Sequence, residues 1–313
     1  MTHPFRTMRV GFMGTPEFSV ASLHAVADHF TVPIVITQPD KPAGRKLQLT
    51  PSAVKVAAQS LNLPVVTPDK IRRDSELIDE LRTMNLDAIV VVAYGQILPQ
   101  ALLDIPRFGC YNIHASLLPK LRGAAPIHRA ITDGETETGI TIIRMDAGLD
   151  TGDMVLRRGI PIGNATTPEL HNQLKTLGAE AIISALYAVF DGSAVFTAQD
   201  HAAHTYARKL TKEEAHIDWT QDATVLANKV RGLTPWPGTE TTWQGKRLKV
   251  LRATPCRQSG VPGTIVSLGD SGLEVACGNG SLLLGEVQLD GKKPVSAADF
   301  IRGHHITAGE ILG

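Results

Sequence analysis

Over the first 190 or so residues, short aliphatic and β-branched runs alternate with stretches whose apolar residues recur every three or four positions. RVGFM (9–13), VPIVIT (32–37), AIVVVAY (88–94) and TGITIIRM (138–145) predict strands. FSVASLHAVADHF (18–30), PSAVKVAAQSL (51–61) and DSELIDELRTM (74–84) predict helices between them. That alternation implies a parallel sheet wrapped by helices, an α/β class. A long helical pattern over 166–190 closes this part. After a connector, runs broken by glycine turns, GKRLKVLRA and GTIVSLGDSGLEVACGNGSLLLGEVQL, predict a small β-barrel, a shape that often binds oligonucleotides. The expected division is a first domain over 1–192, a linker over 193–212 and a second domain over 213–313.

Composition agrees with two cores: 313 residues with 43% hydrophobic content exceed what one small domain needs. The longest apolar run, AIVVVAY, is too short to span a bilayer, and MTHPFRTM lacks the apolar block of a signal peptide, so a cytoplasmic protein is expected. Met8 immediately precedes RVGFMG, which leaves Met1 and Met8 as alternative starts. Three scattered cysteines, Cys110, Cys256 and Cys277, with no CxxC pair, argue against a disulfide framework and against a zinc site. Formal net charge is zero, yet residues 201–313 hold thirteen Lys and Arg against eleven Asp and Glu, and KRLKVLRATPCR (246–257) has five basic residues and no acidic one. A solvated strand face would account for that run on charge alone.

Three stretches carry candidate chemistry. CYNIHAS reads as a strand ending in a loop, which places Asn112 and His114 on one face and turns Ile113 to the other. An amide beside an imidazole at a strand's carboxyl end suits a reaction that builds negative charge on a carbonyl oxygen, since both can donate to the oxyanion. Without a GxSxG elbow or a catalytic cysteine context, direct acyl transfer fits better than a covalent intermediate. MDAGLDTGDM (145–154) offers Asp146, Asp150 and Asp153 as a carboxylate partner for His114, and spacing does not choose among them. VGFMGTPEFS has Gly11 and Gly14 but lacks the third glycine of a dinucleotide fingerprint, so a tight strand-to-helix turn is the simpler reading and a nicotinamide dehydrogenase the weaker alternative. A non-catalytic RNA-binding protein is the other alternative that the C-terminal half permits.

NIHASLLPKLRGAAPI followed by MDAGLDTGDM, together with GTPEFS, QPDKPAGR, VVAYGQILP, YARKLTKEEAHIDW and TPWPG, closely resembles the folate-dependent formyltransferases, from about Met8 into the C-terminal region. The resemblance implies a Rossmann-like domain followed by an OB-like barrel. It further implies transfer of the formyl group of 10-formyltetrahydrofolate to the amino group of methionine on initiator tRNA. In such enzymes the groups matching Asn112, His114 and Asp150 are catalytic. Tyr94, Gly95, Gln96 and Ile97 with Ser116, Leu117, Leu118 and Pro119 would line the folate pocket. Lys41, Arg45 and Lys46 in a mobile basic loop, Lys209 and Lys212 near the connector, and Lys246, Arg247 and Lys249 in the barrel would contact tRNA. No metal, no membrane and no obligatory protein partner is implied, and a monomer is expected.

Overall fold

A computed structural model describes residues 4–44 and 47–313. The chain forms two compact units. The first comprises residues 1–123, 138–160 and 171–206, and the second 124–137, 161–170 and 207–313. Neither unit is therefore one continuous stretch of chain.

Seven strands make the sheet of the first unit: β1 (Val10–Gly14), β2 (Val35–Ile36), β3 (Val65–Val66), β4 (Ala88–Val92), β5 (Cys110–His114), β6 (Glu137–Arg144) and β7 (Met154–Pro161). Their order is β7-β6-β5-β4-β1-β2-β3. Neighbours from β3 through β5 run parallel, with Phe12 opposite Val35 and Val90 opposite Tyr111. Every residue of β1 and β4 is buried, as expected for strands covered on both faces. The sheet departs from parallel pairing at β6, which pairs antiparallel with β5, His114 lying opposite Thr141. Strands β3 and β7 are too short or too polar along one face to announce themselves in the sequence.

Helices appear where periodicity places them, trimmed by their caps. Ala53–Ser60 starts at Ser52, whose Oγ accepts from the Lys55 N–H at 3.0 Å. Ser75–Thr83 starts at Asp74, whose carboxylate accepts from the Leu77 N–H at 3.0 Å. Gly14 ends β1 where a Cβ would lie 2.8 Å from Ser19 Cβ and 3.0 Å from the Val92 carbonyl oxygen, so glycine there serves a tight turn. Lys41–Ala43 pairs antiparallel with Gln48–Thr50, within the stretch that the sequence suggested as a mobile loop.

The second unit is antiparallel. Its strands β8 (Thr239–Trp243), β9 (Lys246–Cys256), β10 (Ile265–Gly269), β11 (Gly272–Ala276) and β12 (Ser281–Leu289) are ordered β8-β9-β12-β11-β10. The last residues reach both edges of this sheet. Leu312 N–H donates to the Gly263 carbonyl just before β10 at 2.8 Å, and Gly313 N–H donates to Thr242 of β8 at 3.1 Å. The result is an OB-like barrel around Trp243, Leu248, Val250, Leu273, Leu282 and Leu284. The helix Pro126–Thr132 belongs to this unit. Its Arg129, buried, grips Glu214 at 2.5 and 2.9 Å and the Arg208 carbonyl at 3.1 Å. No helix among the described residues is long and apolar enough to cross a membrane.

Candidate active site

Strand order reverses between β1 and β4, and in open α/β sheets the crevice at such a switch point, beyond the strands' carboxyl ends, is where ligands bind. The 94–97 turn leaves β4 at that point. Thr15 Oγ1 and Gln38 Nε2 both donate to the Tyr94 carbonyl, at 2.9 and 3.0 Å, and Gly95 takes φ +83°. Gln96 is a strut: its Oε1 accepts from Ile71 N–H at 2.9 Å, and its amide donates to Pro68 and Asp69 carbonyls. Ile97 is exposed, whereas Tyr94 is buried and its hydroxyl has no hydrogen-bond partner among the described residues. Burial, helped by Asp74, pushes that phenol up to about 12, so it stays a neutral donor.

β5 delivers Asn112 and His114 beside this crevice. Asn112 is the less buried member of the strand, and Ile113 turns the other way, its Cγ2 3.0 Å from where a Cβ on Gly178 would stand. His114 is 5% exposed, and its Nε2 lies 2.9 Å from the Leu121 carbonyl oxygen. A carbonyl only accepts, so Nε2 carries a proton and Nδ1 is the nitrogen left for chemistry. That Nδ1 stands 3.6 Å from Asp150 Oδ1, close but beyond a hydrogen bond. Asn112 Nδ2 approaches the same oxygen at 3.3 Å, and the Gly123 N–H donates to Oδ2 at 2.9 Å.

Of the three candidate aspartates the fold brings only Asp150 to the pair. Asp146 spends its Oδ1 on the Gly148 N–H at 3.0 Å and the Thr151 hydroxyl at 2.6 Å. Asp153 pairs with Arg144 at 3.2 Å near the surface. Asp150 takes φ +54°, uncommon for a residue with a side chain and a frequent mark of functional turns. Glycine is obligatory two residues on, because a Cβ at Gly152 would stand 1.8 Å from the Arg144 carbonyl oxygen.

The 115–122 loop beyond β5 is pinned from within. Ser116 Oγ donates to the Lys120 carbonyl at 2.6 Å, and Thr141 Oγ1 links the Ser116 carbonyl and the Leu118 N–H at 2.7 and 3.1 Å. Ser116 and Leu118 are buried, with Leu117 and Pro119 half-buried, so this loop offers a ligand its backbone more than its side chains. Sequence reasoning missed the Leu121 carbonyl, the Gly123 N–H and Gln199. The first two are backbone groups, which carry no side-chain signature.

The basic residues are dispersed. Lys41 is exposed and donates to Gln38 Oε1 at 2.9 Å, while Arg45 and Lys46 lie outside the described residues. Lys209 and Lys212 are exposed. On β9, Lys246 and Arg247 are exposed and Lys249 is half-buried, while the neighbouring Leu248 and Val250 face the core. Arg247 is ion-paired with Glu240, and Glu240 also lies opposite Lys249. Among the described residues no group of three His, Cys, Asp or Glu could hold a metal ion.

Comparison with known proteins agrees with this architecture. The chain is 49% identical over 308 residues to a methionyl-tRNA formyltransferase of Citrifermentans bemidjiense, covering 98% of this chain and 96% of that one. It is 48% identical to the protein of that name from Geobacter sulfurreducens, with 98% and 97% covered. Among solved structures, the N-formyltransferase of Helicobacter canadensis in complex with folinic acid and dTDP-3-aminofucose superposes with a TM-score of 0.66 at 15% identity, over 89% of this chain and 99% of that one. HypX from Aquifex aeolicus in complex with tetrahydrofolic acid gives 0.61 at 19% identity, over 94% of this chain and 47% of that one. Both show the fold. Residues 8–186 match the formyl transferase family and residues 209–305 its C-terminal domain, so this chain belongs to the formyl transferase family.

Proposed function

We propose that the protein transfers the formyl group of 10-formyltetrahydrofolate to the amino group of methionyl-initiator tRNA. The observation that carries this reading is that 49% identity extends over 98% of the chain, the barrel unit included, to a relative named for that reaction. The residues suit the chemistry. The amine nitrogen attacks the formyl carbon, the carbonyl oxygen becomes an oxyanion, the bond to the folate nitrogen breaks, one proton leaves the amine and one reaches the departing nitrogen. Asn112 has a second N–H besides the one directed at Asp150, and with His114 it flanks the position where the oxyanion forms. Asp150 orients His114 and passes the proton between the two amines.

The cosubstrate reading places the folate along Tyr94 to Ile97 and Ser116 to Pro119, where backbone groups read the pterin edge. It is supported by the position of the 94–97 turn at the strand-order reversal. Folate binding and catalysis are assigned within residues 1–192 and tRNA binding within 213–313, with 193–212 as the linker. Lys41, Arg45, Lys46, Lys209, Lys212, Lys246, Arg247 and Lys249 act on the phosphate backbone, where affinity arises without sequence readout. The enzyme works in the cytoplasm as a monomer without a metal.

The test is formyl transfer with charged initiator tRNA, elongator methionyl-tRNA and glycinamide ribonucleotide side by side. Preference for the initiator is expected. Equal or better transfer to glycinamide ribonucleotide would place the protein in another branch of the family.

A further inference from the structure

The loop carrying Asp150 is held by two buried side chains from distant parts of the first unit. Gln199 is 5% exposed, and its Nε2 donates to the carbonyl oxygens of Asp150 and Gly152, each at 2.8 Å. Its Oε1 accepts from Arg122 Nε at 3.0 Å and Nη2 at 2.7 Å. Carbonyls only accept and a guanidinium only donates, so both ends of the amide are committed and its orientation is fixed. Arg122 is 6% exposed, and its Nη2 also faces His201 Nδ1 at 3.3 Å. The next residue, Gly123, gives its N–H to the Asp150 carboxylate. One dipeptide thus reaches Asp150 twice, directly at the side chain and through Gln199 at the backbone.

A left-handed conformation at a non-glycine residue persists only where the surroundings over-determine it. We propose that Arg122 and Gln199 are positioning residues for the reaction: by fixing the Asp150 and Gly152 carbonyls they hold the Asp150 carboxylate against Asn112 and His114. This rests on the formyl-transfer reading above. Neither side chain touches a reacting atom. It follows that the segment after the long helix, which supplies Gln199, is part of the catalytic apparatus as well as a connector.

Gln199→Glu keeps the size, removes both donors and sets a carboxylate against two carbonyl oxygens. A displacement of about 1 Å in a reacting group can cost on the order of 100-fold, so kcat for formylation is expected to fall about 10- to 100-fold with KM for both substrates within about twofold. Arg122→Lys keeps the charge but loses the paired donors to Oε1, and a loss of about 3- to 10-fold is expected. In an Asp150→Asn background, Gln199→Glu should add no further loss in single-turnover rate, because its effect runs through Asp150. Hydrogen exchange at the Gly123 amide reports the hold on the carboxylate without any substrate, and faster exchange is expected in both variants. Unchanged Gly123 exchange, parental kcat in both variants, a KM effect alone, or equal fractional losses with and without Asp150 would each overturn the assignment. If Gln199→Glu fails to fold, Arg122→Lys carries the test. A parent protein inactive on tRNA would sink the functional reading and leave the exchange result to decide this one.

Discussion

The surroundings of Asp150 and the outer face of β9 solve opposite problems with the same kinds of polar residue. At Asp150 the amide, imidazole and backbone N–H groups converge inside the fold, where a low effective dielectric strengthens each contact and makes each misplacement costly. On β9 the cations are half-buried or exposed, Arg247 is ion-paired with Glu240, and Lys249 lies opposite Glu240 in the strand register. Such groups attract a polyanion through a screened field that tolerates small displacements. The contrast teaches where rate and affinity reside: single substitutions should destroy the first region and merely erode the second.

The sharpest break in that comparison is at the site itself. Asn112→Ala and His114→Ala should each lower the single-turnover rate about 100- to 1000-fold, the cost of losing an oxyanion donor, with tRNA binding nearly intact. Within one loop, Asp150→Asn should be comparably harmful while Asp153→Asn stays within about threefold, because only Asp150 meets the Asn112–His114 pair. Equal effects of the two would remove Asp150 from its role.

Next come the β9 cations. Changing Lys246, Arg247 and Lys249 to Ala one at a time should weaken tRNA binding about threefold to tenfold and lower the salt slope by about one per lost phosphate contact. Arg247→Ala is expected to matter least, since Glu240 already neutralises it. Filter binding across a salt series with an unchanged slope in all three would return this face to a merely solvated one.

Smaller still is the effect of the Arg129–Glu214 pair on stability. The Arg129 hydrogen bonds hold the Glu214 carboxyl below its ordinary value of 4.5. A carboxylate with a depressed folded pKa stabilises above its unfolded value, and that contribution is lost as pH falls through the lower folded value. Glu214→Gln should therefore cost about 1–3 kcal/mol at neutral pH, measured by denaturant unfolding, and flatten the acid limb of the stability profile. The mildest expectation concerns Cys110, whose thiol burial pushes up to about 12. A thiol reagent at pH 8 should leave Cys110 unmodified in the native protein and modify it only after unfolding.

The same Arg129 contacts warn against testing the two regions by truncation. Cutting after residue 194 would strip the helix Pro126–Thr132 of its partners, exposing Ala125, whose buried cluster includes Leu210 and Leu233. Substitutions in the full chain are the cleaner instrument.

Much of the site was legible because side-chain chemistry repeats the strand period. Asn112 and His114 two residues apart on a strand had to share a face, and their place at a strand's end followed from the helix–strand alternation. The antiparallel partner β6 was less legible, since strand periodicity carries no direction. Gln199 was invisible for a different reason: a lone glutamine in a connector acquires meaning only when the fold lays it on two carbonyls.

The sequence by itself determined the alternating elements, the change to short glycine-broken strands after the connector, and the amide–imidazole pair, because each depends on local period or residue type. Residue type and spacing left Asp146, Asp150 and Asp153 equal, and the tertiary structure brings Asp150, not the other two, to Asn112 and His114. It also joined residues 124–137 to the barrel unit. Both outcomes rest on contacts between residues far apart in the chain, such as Gly123 with Asp150 and Arg129 with Glu214, whose geometry exists only once the chain has closed on itself.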